Sequence, residues 1–148
     1  MSEKKTKQVF IQGAISPEFI GNSIAKHQSK KDIGAHSIFL GQVRNDLIDT
    51  KEVIAIDYSF YEEMANIIFH SIREAMFQKY HLTCMHIYHS TGIVKAGEIC
   101  LFVFTSSPHR KDAIDACDDI VEQIKKEAPV WGKEMFSDED GIWKVNTK

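Results

Sequence analysis

The sequence predicts an α+β fold, a mixed or antiparallel sheet covered by helices. Two long segments repeat apolar residues every three or four positions, as amphipathic helices do. Around them lie short apolar or alternating runs bounded by glycine, proline and serine, the pattern of strands. No stretch is rich in Gly, Pro or Ser and no internal repeat is visible, so residues 1–148 read as a single domain with a flexible, charged start at Met1–Lys7.

The elements follow in order. Val9 to Ile15 reads as a strand. Ser16 followed by Pro17 makes an N-cap with proline in the first turn of a short helix reaching toward Lys26. Gly34 to Val43 is apolar and strand-length, and Val53 to Tyr61 alternates. From Glu62 to about Tyr80, Met64, Ile68, Ile72, Ala75 and Met76 mark the apolar stripe of a helix whose other face carries Glu63, Asn66, Arg73 and Gln78. Leu82 to His89 and Glu98 to Thr105 read as strands joined by a loop from Gly92 to Gly97. The last helix starts after Ser107 and buries Ala113, Cys117, Ile120, Val121 and Ile124. It stops at Ala128, because the residue before Pro129 is biased away from helical dihedrals.

Composition excludes several classes. A chain of 148 residues can bury roughly two thirds of its unfolded surface and needs no staples. The start is short and charged, and no run of about 18 uncharged apolar residues occurs, so neither a signal peptide nor a membrane span is expected, and the cytoplasm is the expected location. Cys84, Cys100 and Cys117 are odd in number and form no CxxC pair, which suits buried spectators. A net charge of −3 with scattered basic residues argues against nucleic-acid binding. His81, His86 and His89 resemble a metal set, but alternation sends His86 and His89 to opposite faces of their strand, so no metal is assigned.

Three clusters carry chemical content. Ser106, Ser107, Pro108, His109, Arg110 and Lys111 stack basic groups on a helix N-terminus, which is unfavourable unless an anion sits there or the side chains point into solvent. Lys125, Lys126, Pro129, Trp131 and Lys133 gather at the other end of that helix. They read either as a solvated cap or as lysines beside a water-excluding aromatic wall, able to move protons or hold an oxyanion. Phe39 to Arg44 delivers a glycine and then an arginine at a strand end, suited to a surface ion pair or a bidentate hold on phosphate.

Taken together, FLGQVR (Phe39–Arg44), YSFYEEMA (Tyr58–Ala65), SSPHR (Ser106–Arg110) and KKEAPVWGKE (Lys125–Glu134) resemble, in that order, segments of the large, catalytic subunit of molybdopterin synthase, the MoaE family. The resemblance runs from about Gly34 to Trp143. It implies an α/β hammerhead-type fold and a homodimer within a heterotetramer that carries a small ubiquitin-like sulfur-carrier subunit at each end. It also implies transfer of sulfur from the carrier's C-terminal thiocarboxylate to cyclic pyranopterin monophosphate, with no metal or other cofactor. Arg44, His109 and Arg110 match the family's anion- and substrate-holding positions, and Lys126 is grouped with them. Lys125 matches its principal catalytic lysine. The family commonly has a lysine directly after the tryptophan of the last motif, where this chain has Gly132; Lys133 is expected to take that role. Lys144 and Lys148 are the only candidates for a contact from a basic tail.

Geometry adds an expectation. Arg110 and Lys125 are fifteen positions apart on one helix, about 22 Å at a rise of roughly 1.5 Å per residue. One small substrate cannot touch both within a chain, so the site is expected to be shared across the dimer. Two rivals remain: a non-catalytic dimeric scaffold that binds a ubiquitin-like tail, and an unrelated phosphate-ester enzyme using Ser107 and His109. The second lacks a group to orient the histidine, and Ser107 is better read as an N-cap.

Overall fold

The computed structural model describes residues 9–137 and the backbone of 143–146. In chain order the elements are β1 (Phe10–Gln12), α1 (Pro17–Lys26), β2 (Ala35–Gln42), β3 (Leu47–Ile48), β4 (Lys51–Phe60), α2 (Glu62–Lys79), β5 (Cys84–Lys95), β6 (Ile99–Ser107), α3 (Arg110–Glu127), β7 (Val130–Phe136) and β8 (Trp143–Asn146). Among the described residues the strands form one sheet in the order β2-β6-β5-β4-β7-β8, with β1 paired to β5 and β3 to β4. β1 runs parallel to β5 and the other pairs are antiparallel, as a mixed sheet requires.

β6 is the spine of the core, buried from Cys100 to Ser107. Alternation along it divides two clusters. Phe102 and Phe104 face α1 with Ile15 and Ile20, whereas Leu101 and Val103 face α2 and α3 with Ile72, Ile120 and Ile124. Each such side chain contributes about 1.5–3 kcal/mol by leaving water. α1 begins as the Ser16-Pro17 pair predicts, with the Ser16 hydroxyl accepting from the Phe19 N–H at 3.0 Å. α3 ends at Ala128, whose extended dihedrals meet Pro129.

Several boundaries differ from the sequence reading, each for a local reason. The first strand is only Phe10–Gln12, because Gly13 turns with φ +80°. The expected Gly92–Gly97 loop is mostly strand: β5 runs on to Lys95, changing partners near Gly92 (φ +84°) from β6 and β1 to β4. The buried face of α2 is Ala65, Phe69, Ile72 and Met76, while Met64 and Ala75 are exposed. What sets that phase is an aromatic cluster: Phe10 stacks on Phe60 at 3.5 Å and meets Phe69 edge-on at 5.7 Å. β3, β7 and β8 had no counterpart in the sequence reading. The expectations for Met1–Lys7, the Lys144 side chain and Lys148 lie outside the described residues.

Strand parity separates His86 from His89 as expected. His86 lies with Phe104 on the α1 side, and His89 lies against Phe10 and Tyr58 on the other. All three cysteines are free and buried.

Candidate active site

Lys125 occupies the last turn of α3, one residue after buried Ile124. Beyond Pro129 the chain reverses into β7, which pairs with β4 from Val53–Phe136 to Phe60–Val130. Between this corner and the sheet lies a cavity of about 260 Å³. Its walls are Phe39, Gly41 and Gln42 of β2, Ile56 and Tyr58 of β4, His89 of β5, Cys100 and Leu101 of β6, Ile124 and Lys125 of α3, and Ala128, Val130 and Gly132.

The polar groups on these walls are held neutral. The Tyr58 hydroxyl donates to the Cys100 sulfur at 3.4 Å. Burial pushes the Tyr58 phenol far up, and the neighbouring thiol adds to the effect. Burial likewise raises the Cys100 thiol, against the opposing pull of the Tyr58 hydrogen bond and of Lys125. His89 donates from Nδ1 to the Ser90 carbonyl at 2.8 Å, which leaves Nε2 as the acceptor. Its pKa is lowered chiefly by burial, with the Lys125 charge acting in the same direction against the Ser90 hydrogen bond. Among the described residues Lys125 is thus the one formally charged side chain on the lining, and the cavity suits a single anionic group held against neutral donors and apolar walls.

Strand alternation decides the roles of Gly132 and Lys133. Gly132 faces the cavity: a Cβ there would stand 2.8 Å from the Ile56 Cγ2 and 3.4 Å from the Tyr58 ring. Lys133, the next residue on β7, is exposed on the opposite face and is absent from the cavity wall, contrary to the expectation that it would reach Lys125. Lys126 is also exposed, one residue round the helix from Lys125.

The remaining sequence-selected residues lie elsewhere on the protomer. Arg44 follows β2 and is 81% exposed in its side chain, 3.1 Å from Asp46; such a pair is worth little in water. His109 is the N-cap of α3 and makes no side-chain capping bond. Ser107 is not the cap. Its hydroxyl donates to the His81 carbonyl at 2.9 Å and accepts from the His109 N–H at 3.3 Å, which fixes the turn. Gly34 tightens the turn further, since a Cβ there would sit 2.1 Å from the Pro108 carbonyl oxygen. His109 and Arg110 are exposed and border an open surface depression with Lys111, Ile114 and Asp115. Lys111 is engaged with Asp115 at 3.0 Å. Because α3 runs unbroken from Arg110 to Glu127, these groups and Lys125 stand at its opposite ends.

Tyr58, His89 and Cys100 were not singled out as site residues by sequence reasoning. Tyr58 opens the second resemblance motif, and strand parity placed His89 apart from His86; neither signal pointed to a cavity.

Residues 15–127 match the family model described as MoaE protein. The chain is similar to molybdopterin synthase catalytic subunit 1 of Aedes aegypti, 34% identical over 128 residues, covering 84% of this chain and 80% of that protein. It is 33% identical over 116 residues to the molybdopterin synthase catalytic subunit of Bacillus subtilis (strain 168), covering 78% and 73% respectively. Among solved structures, molybdopterin synthase from Staphylococcus aureus aligns with a TM-score of 0.79 and 26% identity over 95% of this chain and 96% of that one. A complex of subunits 1 and 2 of molybdopterin-converting factor from Helicobacter pylori 26695 shares the fold at a TM-score of 0.79 and 20% identity, covering 95% and 90%. With the family model spanning most of its length, the chain belongs to the MoaE family.

Proposed function

We propose that this protein is the catalytic subunit of a molybdopterin synthase, a sulfurtransferase that forms the dithiolene of molybdopterin. The donor is the thiocarboxylated C-terminus of a small ubiquitin-like carrier, and the acceptor is cyclic pyranopterin monophosphate. The observation that carries this reading is the placement of Lys125, alone in charge among the described residues of a lining of neutral groups, in a chain of this family. The carrier's terminal glycine suits a cavity in which Gly41 and Gly132 leave the wall without side chains.

Lys125 stabilises the oxyanion that forms when the carrier's acyl group is attacked, and it moves protons during transfer. Arg44, His109 and Arg110, with Lys126, hold the pterin phosphate and so remove part of the entropic barrier. Lys133 is kept from the reacting atoms of its own protomer by strand alternation. Since α3 separates Arg110 from Lys125, each site is shared: Lys125 of one subunit faces His109 and Arg110 of the other. Edge strand β2, with Ile38 and Leu40 exposed, supplies apolar surface for subunit contact. Three free thiols fit the reducing cytoplasm. Among the described residues no helix is long and apolar enough to cross a membrane.

The test is to mix the purified protein with thiocarboxylated carrier and cyclic pyranopterin monophosphate and to follow the dithiolene product by mass spectrometry. Product that is lost in Lys125→Ala is the expected result. The second reading, a scaffold that binds the carrier tail without chemistry, is favoured by one observation: Gly132 faces the cavity where the family commonly has a lysine. Carrier binding without product, and activity gained by Gly132→Lys, would decide for it.

A further inference from the structure

We propose that His27, Cys84 and His86 form a binding site for one Zn2+ ion, on the face of β5 opposite the Lys125 cavity. This lies outside the sulfur-transfer chemistry and does not depend on it. Cys84 and His86 are two apart on β5, so both project to the α1 side, and the C-terminal cap of α1 brings His27 across to them. The three donor atoms all lie within 4.8 Å of one another.

The tautomer of His27 suits a cation. His27 Nδ1 is 2.7 Å from the Ser23 carbonyl, which can only accept, so the proton is on Nδ1 and the Nε2 lone pair faces His86. That lone pair accepts from the His86 Nε2–H at 3.0 Å, so Zn2+ takes the place of this shared proton: His86 turns its own Nε2 lone pair to the metal with its proton on Nδ1, and the Cys84 thiol proton leaves to solvent. A metal-bound histidine is held as His27 is, with its second nitrogen donating to a carbonyl. Two Zn–N bonds of about 2.0–2.1 Å at a tetrahedral angle need nitrogens roughly 3.3 Å apart, so the rings must open by only a few tenths of an ångström. His27 and Cys84 are 8% and 6% exposed and His86 is half-buried, which shields the ion while leaving a fourth position for water. Two imidazoles and a thiolate select a borderline or soft metal over Mg2+ or Ca2+.

Lys30 is the competing cation. Its ammonium is 3.1 Å from the Cys84 sulfur. Lys30 is exposed on a flexible stem, so the ammonium can move into solvent as Zn2+ takes its place. Bound metal would then clip the end of α1 to the start of β5 and raise thermal stability by mass action.

The experiment uses the full chain without an affinity tag. Zn2+ is titrated in competition with a chromophoric chelator, and Co2+ serves as a spectroscopic probe. Expected are one equivalent per chain, a thiolate-to-cobalt charge-transfer band, and affinity weakened more than about 10-fold in each of Cys84→Ala, His27→Ala and His86→Ala. Cys117→Ala should leave binding unchanged. Lys30→Ala should bind severalfold tighter, and weaker binding there would overturn the displacement argument and with it the site. Zinc-edge X-ray absorption on the unaltered protein needs no variant to fold: one sulfur and two imidazole nitrogens support the site. No sulfur in the shell, no stoichiometric binding, or affinity in all three ligand variants unchanged from that of the unaltered protein overturns it.

Discussion

The Tyr58 hydroxyl donates to the Cys100 sulfur across 3.4 Å, on the wall of the cavity that Lys125 borders. Burial raises both groups, so both keep their protons at neutral pH and neither competes with Lys125 as a charge. Alkylation of Cys100 should therefore be slower at pH 7 than that of a free thiol. Its rate should rise with a midpoint above about 8.5, the ordinary cysteine value. Peptide mapping after timed alkylation checks this, and fast labelling at pH 7 would contradict it.

Lys125→Ala should lower kcat by about 100- to 1,000-fold, the usual cost of removing one oxyanion donor. Lys133→Ala, on the far face of β7, should change kcat by less than about 10-fold, since a screened surface charge has a small effect. Comparable losses in the two variants would show that Lys133 reaches the reacting atoms after all.

Mixing Lys125→Ala subunits with Arg110→Ala subunits tests the shared site. Random exchange makes half the dimers hybrid, each with one intact site of two, so activity should recover to about one quarter of the unaltered level. No recovery, with mixing demonstrated by mass, would place both residues in one protomer's site.

Gly34→Ala puts a methyl group against the Pro108 carbonyl, at 2.1 Å before relaxation. Backbone has to move, and about 1–3 kcal/mol of stability should be lost. Because the same contact sets the His109 turn, KM for the pterin should rise as well. Chemical denaturation and steady-state kinetics measure the two effects, and a rise in neither would mean the turn adapts freely.

The buried imidazole of His89 makes stability depend on pH. Its folded pKa is depressed by burial, so above the unfolded value of about 6.5 it is neutral in both states and carries no penalty. As pH falls below about 6.5 the unfolded chain takes up the proton first, and stability drops until the folded pKa is passed. His36, lowered by burial and by its neighbour His27, acts in the same sense. Denaturation midpoints measured from pH 7.5 downward should fall, and His89→Gln should flatten the slope.

Much of this fold could be read from the chain because local signals agreed with tertiary packing. The Ser16-Pro17 start, the Ala128-Pro129 stop and the buried stripe of α3 all follow from backbone sterics and helical period. α2 was misphased because Met64 is as apolar as Phe69, and only the Phe10–Phe60 stack decides which one turns inward. Motifs singled out Lys125, which borders the cavity, and His109 and Arg110, which stand at the other end of α3. The neutral half of the cavity was not, since Tyr58, His89 and Cys100 come from three strands whose register no local pattern reveals. Lys133 was misplaced for the same reason, as β7 had not been recognised as a strand and its parity could not be applied.

α3 is in effect a ruler with a different chemical group at each end. One residue inserted in its interior would lengthen it by only about 1.5 Å yet rotate everything beyond by about 100°. Lys125 would leave the cavity mouth and Ile124 would leave the core together. If the site is shared as proposed, it tolerates substitutions along the outer face of the rod but no change in its length, and an insertion scan should mark α3 as the segment where spacing matters more than composition.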